Sequence, residues 1–260
     1  MLHVAIEAAR EAGAFLKESV GKVRTIETKK GEERNLVSEI DRGSEERIIS
    51  TIRRHYPMHL ILAEESGGQD APADYKWIID PLDGTTNFLH GVPIFSVTIA
   101  VERRGEVVAG VVYDPNLDEM FTAEKGSGAF LNGQRLRVSR TSELINSLLV
   151  TGFPYDIVAH RGNVVEHFVH FLMAARGLRR LGSAAMDLSY VAAGRFDGYW
   201  EVSLNPWDMA AGVLFVQEAG GRVTDFAGAG PDIYRKQVVA SNGIIHDPML
   251  QIIKGGTVCA

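Results

Sequence analysis

The sequence predicts a mixed α/β chain of α+β character with helices layered against sheets, and three observations carry that expectation. Apolar residues recur at helical spacing over the first twenty positions, short strand patterns with tight turns fill the middle, and strands alternate with helices in the second half. Alternation beside a meander is the pattern of sheets covered by helices. At 260 residues, 45% hydrophobic and 23% charged, the chain can bury an ordinary core. We expect one domain over 1–260, composed of an α+β half (1–145) and an α/β half (146–260).

Leu2, Ile6, Ala9, Gly13, Leu16 and Val20 lie three or four apart and predict an amphipathic first helix. Residues 21–36 turn polar around Lys29-Lys30-Gly31-Glu32-Glu33-Arg34, which reads as a solvated loop or as a mobile flap reaching a nearby site. Asp41 or Ser44 could cap a second helix bearing Ile48, Ile49 and Ile52 and ending near Pro57. Leu60 to Ala63 and Tyr75 to Ile79 read as strands, the first running into Glu64-Glu65-Ser66 and the second into Asp80. Ile94 to Val101, Val107 to Tyr113, Glu119 to Ala123 and a hairpin in Phe130 to Val138 about Asn132-Gly133 predict an antiparallel meander. Beyond it we expect strands at Ser147 to Thr151, Arg179 to Leu181, Phe196 to Glu201, Arg222 to Asp225 and Gln237 to Ala240. The expected helices there are Val158 to Ala175, Ser183 to Ala193, Trp207 to Ala219 and a short one after His246.

A formal net charge of −6 argues against a general nucleic-acid binder, which needs a basic footprint. One cysteine, Cys259, permits no internal disulfide and no thiolate metal site, and it fits a reducing cytoplasm. Charges at Glu7, Arg10, Glu11, Lys17 and Glu18 break up any signal-peptide core, and no apolar run reaches the roughly 18 residues of a membrane span. The expectation is a soluble cytoplasmic protein with no membrane partner.

Trp77 to Phe88 is the densest stretch: an apolar run meets Asp80 and Asp83, then Gly84, Thr85 and Thr86. Carboxylates at a strand end collect hard cations, and free amides at a helix start collect phosphate. An isolated Asp-Gly reads as a turn, and Asp208 alone reads as a helix-start charge. The second aspartate and the Glu64-Glu65 pair after the neighbouring strand favour metal instead, because crowded carboxylates repel without a cation. Two cations roughly 3.5–4 Å apart cleave a phosphoester in line, and Glu64 could orient or deprotonate the water. His160, His167 and His170 read as surface or packing residues, and Phe168, Phe171 and Leu172 as core.

At these residues the chain resembles the inositol monophosphatase family, within the lithium-sensitive, magnesium-dependent phosphatases. Trp77-Ile-Ile-Asp-Pro-Leu-Asp-Gly-Thr-Thr-Asn-Phe88 is similar to its first signature, Trp207-Asp-Met-Ala-Ala-Gly212 running to Glu218-Ala-Gly-Gly221 to its second, and Ala63-Glu-Glu-Ser66 to its acidic pair. The resemblance implies a layered αβαβα sandwich, a homodimer, and two or three Mg²⁺ ions held by Glu64, Asp80, the Leu82 carbonyl, Asp83 and Asp208. It implies phosphate on Gly84 and Thr85, and an Asp41–Thr85 pair taking the proton from water. Lys30, or Lys29, falls at a loop lysine, and Gly182-Ser183-Ala184-Ala185, Glu201 and Asp208 fall beside the sugar-alcohol ring. The implied substrate is a small phosphate monoester, myo-inositol 1-phosphate first. Fructose 1,6-bisphosphate, other sugar phosphates or histidinol phosphate are alternatives, as is a regulatory protein-binding role. Pro206 and Ser203-Leu204-Asn205 depart from animal members.

Overall fold

The computed structural model describes residues 1–29, 32–68, 73–155, 157 and 164–255, with side chains left out at 29 and 32–35. Lys30, His160, Cys259 and the first turns of the helix expected from Val158 lie outside the described residues. Helix α1 (Leu2–Ser19) buries Val4, Ala5, Ala8, Ala9, Ala12, Gly13 and Leu16. That face is rotated from the expected one: Leu2 and Ile6 are half-buried and Val20 is exposed beyond the helix end. Small residues won the buried stripe because they let the helix approach closely. A Cβ at Gly13 would stand 2.5 Å from the Tyr113 ring.

The polar stretch expected as a loop holds an antiparallel hairpin, β1 (Ile26–Lys29) and β2 (Glu32–Ser38), whose first strand is solvated and shows no apolar alternation. Helix α2 (Glu39–His55) is capped by Ser38, with Asp41 completing a capping box at its third position. The expected caps, Asp41 and Ser44, are both inside the helix.

Strands β3 (Leu60–Ala63) and β4 (Lys76–Asp83) pair in parallel. The short helix α3 (Thr85–Leu89) follows, then β5 (Ser96–Arg103), β6 (Glu106–Asp114), β7 (Glu119–Glu124), β8 (Gly128–Leu131) and β9 (Gln134–Arg135). They form a seven-stranded sheet in the order β3-β4-β5-β6-β7-β8-β9. Asn132 and Gly133 have φ of 48° and 79° and make the tight turn their sequence announces.

The second half adds β10 (Leu148–Thr151), α4 (Val164–Ala174), β11 (Gly177–Arg179), α5 (Ala184–Ala192), β12 (Gly198–Val202), α6 (Pro206–Glu218), β13 (Arg222–Thr224), β14 (Gln237–Ser241) and α7 (His246–Ile253). Its five strands order as β11-β10-β12-β14-β13. The strand expected at Arg179 to Leu181 sits two residues earlier, where Gly177 pairs with Leu148.

Side chains alternate across both sheets and settle the layering. Ile79, Ile99 and Val111 meet α1 and α2. Ile78, Ala100 and Val112 on the opposite face meet α5 and α6, which also cover Val150, Tyr199 and Val238 of the second sheet. Leu149, Trp200 and Val239 on its far face meet α4 and α7. The order is therefore helix, sheet, helix, sheet, helix, the expected αβαβα arrangement. Phe171 stacks on Trp200 with centroids 3.9 Å apart, whereas Leu172, expected in the core, is 51% exposed on the outer face of α4. His167 is buried against the Ile253 carbonyl. No helix among the described residues is long and apolar enough to cross a membrane.

Candidate active site

Parallel pairing of β3 with β4 brings Glu64 beside the carboxylate end of β4, and the Glu64 amide donates to the Ile79 carbonyl at 3.1 Å. Against β5, Asp80 pairs with Thr98 and Asp83 with Ser96, so Pro81 and Leu82 form an irregularity between the two aspartates. The Ser44 hydroxyl holds the Pro81 carbonyl at 2.8 Å. Gly84 caps α3 with φ of +96°, and a Cβ there would press on the Ile94 carbonyl, so glycine is required at the turn.

Asp208 arrives from α6, far along the chain from the other acids. It lies in the first turn of α6, and its Oδ2 accepts the Asn205 amide at 2.6 Å. Asp83 Oδ2 accepts the Ser183 hydroxyl at 2.7 Å and the Ala185 amide at 2.8 Å, which joins β4 to the start of α5. Asp80 Oδ1 accepts the Leu82 amide at 3.0 Å. Asp41 stands behind them: its Oδ1 accepts the Thr85 hydroxyl at 2.9 Å, and its Oδ2 accepts both the amide and the hydroxyl of Ser38, at 2.8 and 2.6 Å.

Glu64, Asp80, Leu82, Asp83, Gly84, Thr85, Ser183, Ala184, Glu201 and Asp208 all line one cleft of about 290 Å³. Asp41 reaches it through Thr85. Glu201 lines it from β12, where Tyr199 donates to its Oε2 at 2.6 Å and Gly152 lies against its carboxylate. Residues the sequence reading passed over also line it, Gly152 to Tyr155 after β10, Arg180 and Lys236, and so does the Ser203-Leu204-Asn205 segment that departs from animal members. Gly152 follows a strand end, the same signal that marked Glu64, and could have been found by it; the two cations carry no local signal.

Burial is the first cause of unusual acidity here, and mutual repulsion adds to it. Asp80 is raised well above the carboxylate range by burial and then by Glu64, Asp83 and Asp208. Asp208 is raised likewise by burial and Glu64. Asp83 is pushed up to about 6 by burial, against the pull of its Ser183 and Ala185 donors. Glu201 reaches about 7 through burial, moderated by Tyr199 and Arg180. Burial also raises Asp41, and the Ser38 and Thr85 donors draw it back.

Among the described residues, no three acidic, histidine or cysteine side chains close on one point as a finished cation cage. The carboxylates frame the cleft from three segments, each of the aspartates anchored through one oxygen by a protein donor. An all-oxygen set of three buried aspartates whose pKa values are raised, joined by the half-buried Glu64, suits a hard divalent cation, whose charge would offset the repulsion. The set fits magnesium and does not fit a soft metal.

The family model for the inositol monophosphatase family matches residues 1–255. An inositol-1-monophosphatase of Mesorhizobium japonicum is 43% identical over 257 residues, covering 98% of this chain and 96% of the relative. A Nus factor SuhB of Pseudomonas aeruginosa is 46% identical over 247 residues, covering 93% of this chain and 91% of the relative. The solved inositol monophosphatase of Anabaena superposes with a TM-score of 0.88 at 43% identity, covering 98% of this chain and 95% of that one. With a cleft of buried acids at paired strand ends and these relatives along nearly its whole length, the chain belongs to the inositol monophosphatase family.

Proposed function

We propose that this protein is a cytoplasmic, homodimeric, Mg²⁺-dependent phosphomonoesterase that hydrolyses small polyol or sugar phosphates, myo-inositol 1-phosphate foremost. Family membership supports a phosphatase. The observation that carries the finer reading is the convergence of Glu64, Asp80, Asp83 and Asp208 on one cleft with the Gly84-Thr85 turn.

Glu64, Asp80, the Leu82 carbonyl, Asp83 and Asp208 would hold two or three Mg²⁺ ions. When bound, these supply Lewis acidity toward water and the leaving oxygen. The chain does the rest. Gly84 and Thr85 amides receive phosphate oxygens at the start of α3. Glu64 orients the attacking water, and the Thr85 hydroxyl, backed by Asp41, relays its proton. Attack at phosphorus breaks the P–O ester bond, and the alcohol leaves with a proton. Ser183, Ala184, Glu201 and Asp208 face that alcohol, and the Glu201 carboxylate can accept hydrogen bonds from two neighbouring hydroxyls.

Purified protein should release phosphate from inositol 1-phosphate only with Mg²⁺, lose rate with Li⁺, and lose nearly all rate as Asp83→Asn or Glu64→Gln. No release from any small polyol or sugar phosphate would end the reading. A second reading, regulation through a protein partner, is favoured by relatives that carry the name Nus factor SuhB. Pull-downs with the wild type and the Asp83→Asn variant separate the two roles.

A further inference from the structure

We infer that Glu45 is a positioning residue of the cleft: it seats the turn that carries Glu64 and thereby sets how tightly the acids take a divalent cation. This rests on the phosphatase reading above and deepens it.

Glu45 lies in α2 one turn before Ile48 and two before Ile52, on the stripe that packs into the core. It is only 4% exposed. Both of its carboxylate oxygens are taken by backbone. Oε2 accepts the Glu65 amide at 2.9 Å, and Oε1 accepts the Ser66 amide at 2.8 Å. Those are the two amides that directly follow Glu64. The Glu64 amide itself donates to the Ile79 carbonyl at 3.1 Å, and the Ala63 amide to the Gly67 carbonyl at 2.8 Å. The turn after β3 is thus held by the neighbouring strand, by its own closure and by the helix behind it.

A carboxylate buried at a core position costs free energy unless donors meet its oxygens. Here two successive amides converge on it. Glutamate offers two acceptors to that pair, whereas glutamine offers one acceptor and sets its own N–H groups against the second amide. The same turn of α2 holds the rest of the frame. Asp41 Oδ1 accepts the Thr85 hydroxyl at 2.9 Å, and the Ser44 hydroxyl donates to the Pro81 carbonyl at 2.8 Å. Positions 41, 44 and 45 share one helical face, and each grips a different segment of the site. One turn of helix therefore sets the spacing between the Glu64 turn, the Asp80–Asp83 irregularity and Thr85. Magnesium demands near-ideal octahedral geometry, so a drifting Glu64 turn would weaken the cation's hold. Groups that orient ligands from behind commonly set metal affinity by a factor of about ten or more.

The test compares Glu45→Gln in the full chain with Thr51→Val as a matched control. Thr51 lies on the same helix and outside the cleft lining, its hydroxyl donating to Glu11 Oε2 at 2.7 Å. Calorimetric titration of metal-free protein with MgCl₂ should give an apparent dissociation constant about tenfold higher in Glu45→Gln. The Mg²⁺ concentration for half-maximal phosphate release from inositol 1-phosphate should rise in step, with kcat at saturating Mg²⁺ much less affected. Thr51→Val should melt earlier yet keep the wild-type Mg²⁺ constants. In metal-free wild type the Glu65 and Ser66 amides should be protected from hydrogen exchange, and Glu45→Gln should exchange them faster. Unchanged Mg²⁺ affinity in Glu45→Gln, an equal loss in Thr51→Val, or freely exchanging 65 and 66 amides in the wild type overturns the positioning role. Mg²⁺ binding without phosphate release from any ester overturns the phosphatase reading and leaves the role of Glu45 standing. A wild type that binds no Mg²⁺ overturns both.

Discussion

Thr85 and Asp41, 44 residues apart in the chain, meet through a hydroxyl–carboxylate hydrogen bond of 2.9 Å. Ser38 occupies the other carboxylate oxygen with both its amide and its hydroxyl. One aspartate therefore completes the cap of α2 and orients the threonine at the cleft, and Ser38 fixes the angle at which it does so. Ser38→Ala should lower kcat roughly tenfold with little change in KM, and cost about 1 kcal/mol of stability through the weakened cap. Ser38→Thr should restore both. Steady-state kinetics and thermal melts check this, and a pure stability loss with kcat unchanged would refute the positioning role.

Metal-free protein should lose stability as pH rises. Glu201 is held at about 7 and Asp83 at about 6 in the fold, above their ordinary values. Between the ordinary value and the raised one the folded chain binds more protons than the unfolded chain, so stability falls with rising pH across roughly 4.5 to 7. Buried His246, held down to about 4 between Thr224 and Ser241, has the opposite slope below about 6.5. The comparison is therefore cleanest above pH 6.5. Melting scans in EDTA and in Mg²⁺ should diverge as pH rises, because an ion that binds only the fold stabilises it. Parallel curves would speak against cation binding by these acids.

Gly152→Ala should raise KM for polyol phosphates about tenfold with a smaller change in kcat. A Cβ at that position would overlap the Glu201 carboxylate, which accepts from Tyr199 and cannot retreat freely. Removing part of uniform binding raises KM and leaves kcat in place. Kinetics on inositol 1-phosphate decide it, and unchanged KM would show that Glu201 does not face the alcohol.

A fragment of residues 1–145 should not fold cooperatively. Without α5 and α6 the seven-stranded sheet would expose Ile78, Ala100, Val112 and Phe121, all now buried. Burying the isoleucine, valine and phenylalanine contributes about 1.5–3 kcal/mol each, comparable in sum with a whole domain's stability. A sharp urea transition of the fragment would show that the halves are separate folding units.

Glu64, Asp80 and Asp83 were legible because they stand at strand ends within short local motifs, and period-2 alternation exposed most of the sheets. Asp41 and Asp208 sit in first helical turns, where local spacing reads them as caps, and only the resemblance set them at the site. The first hairpin was not, since β1 is wet and shows no apolar alternation. The cap of α2 was misplaced because serine and aspartate at 38, 41 and 44 all suit a helix start, and only the fold chooses among them. Arg180 and Lys236 reach the cleft beside strands distant in the chain, which local spacing cannot report. The strand near 179 slipped because its register is set by β10, 29 residues upstream at its paired start (Leu148↔Gly177).

The cleft is lined from two different stretches of chain. Except for Asp208, the residues proposed to hold metal and phosphate are complete by residue 85, whereas Gly152, Ser183, Glu201 and Lys236 all come later. On the proposed function, selectivity for the departing alcohol can thus drift through changes in the second half that spare Asp208, while the rest of the hydrolytic apparatus is inherited unchanged. A lineage could acquire a new metabolite without rebuilding the bond-breaking step.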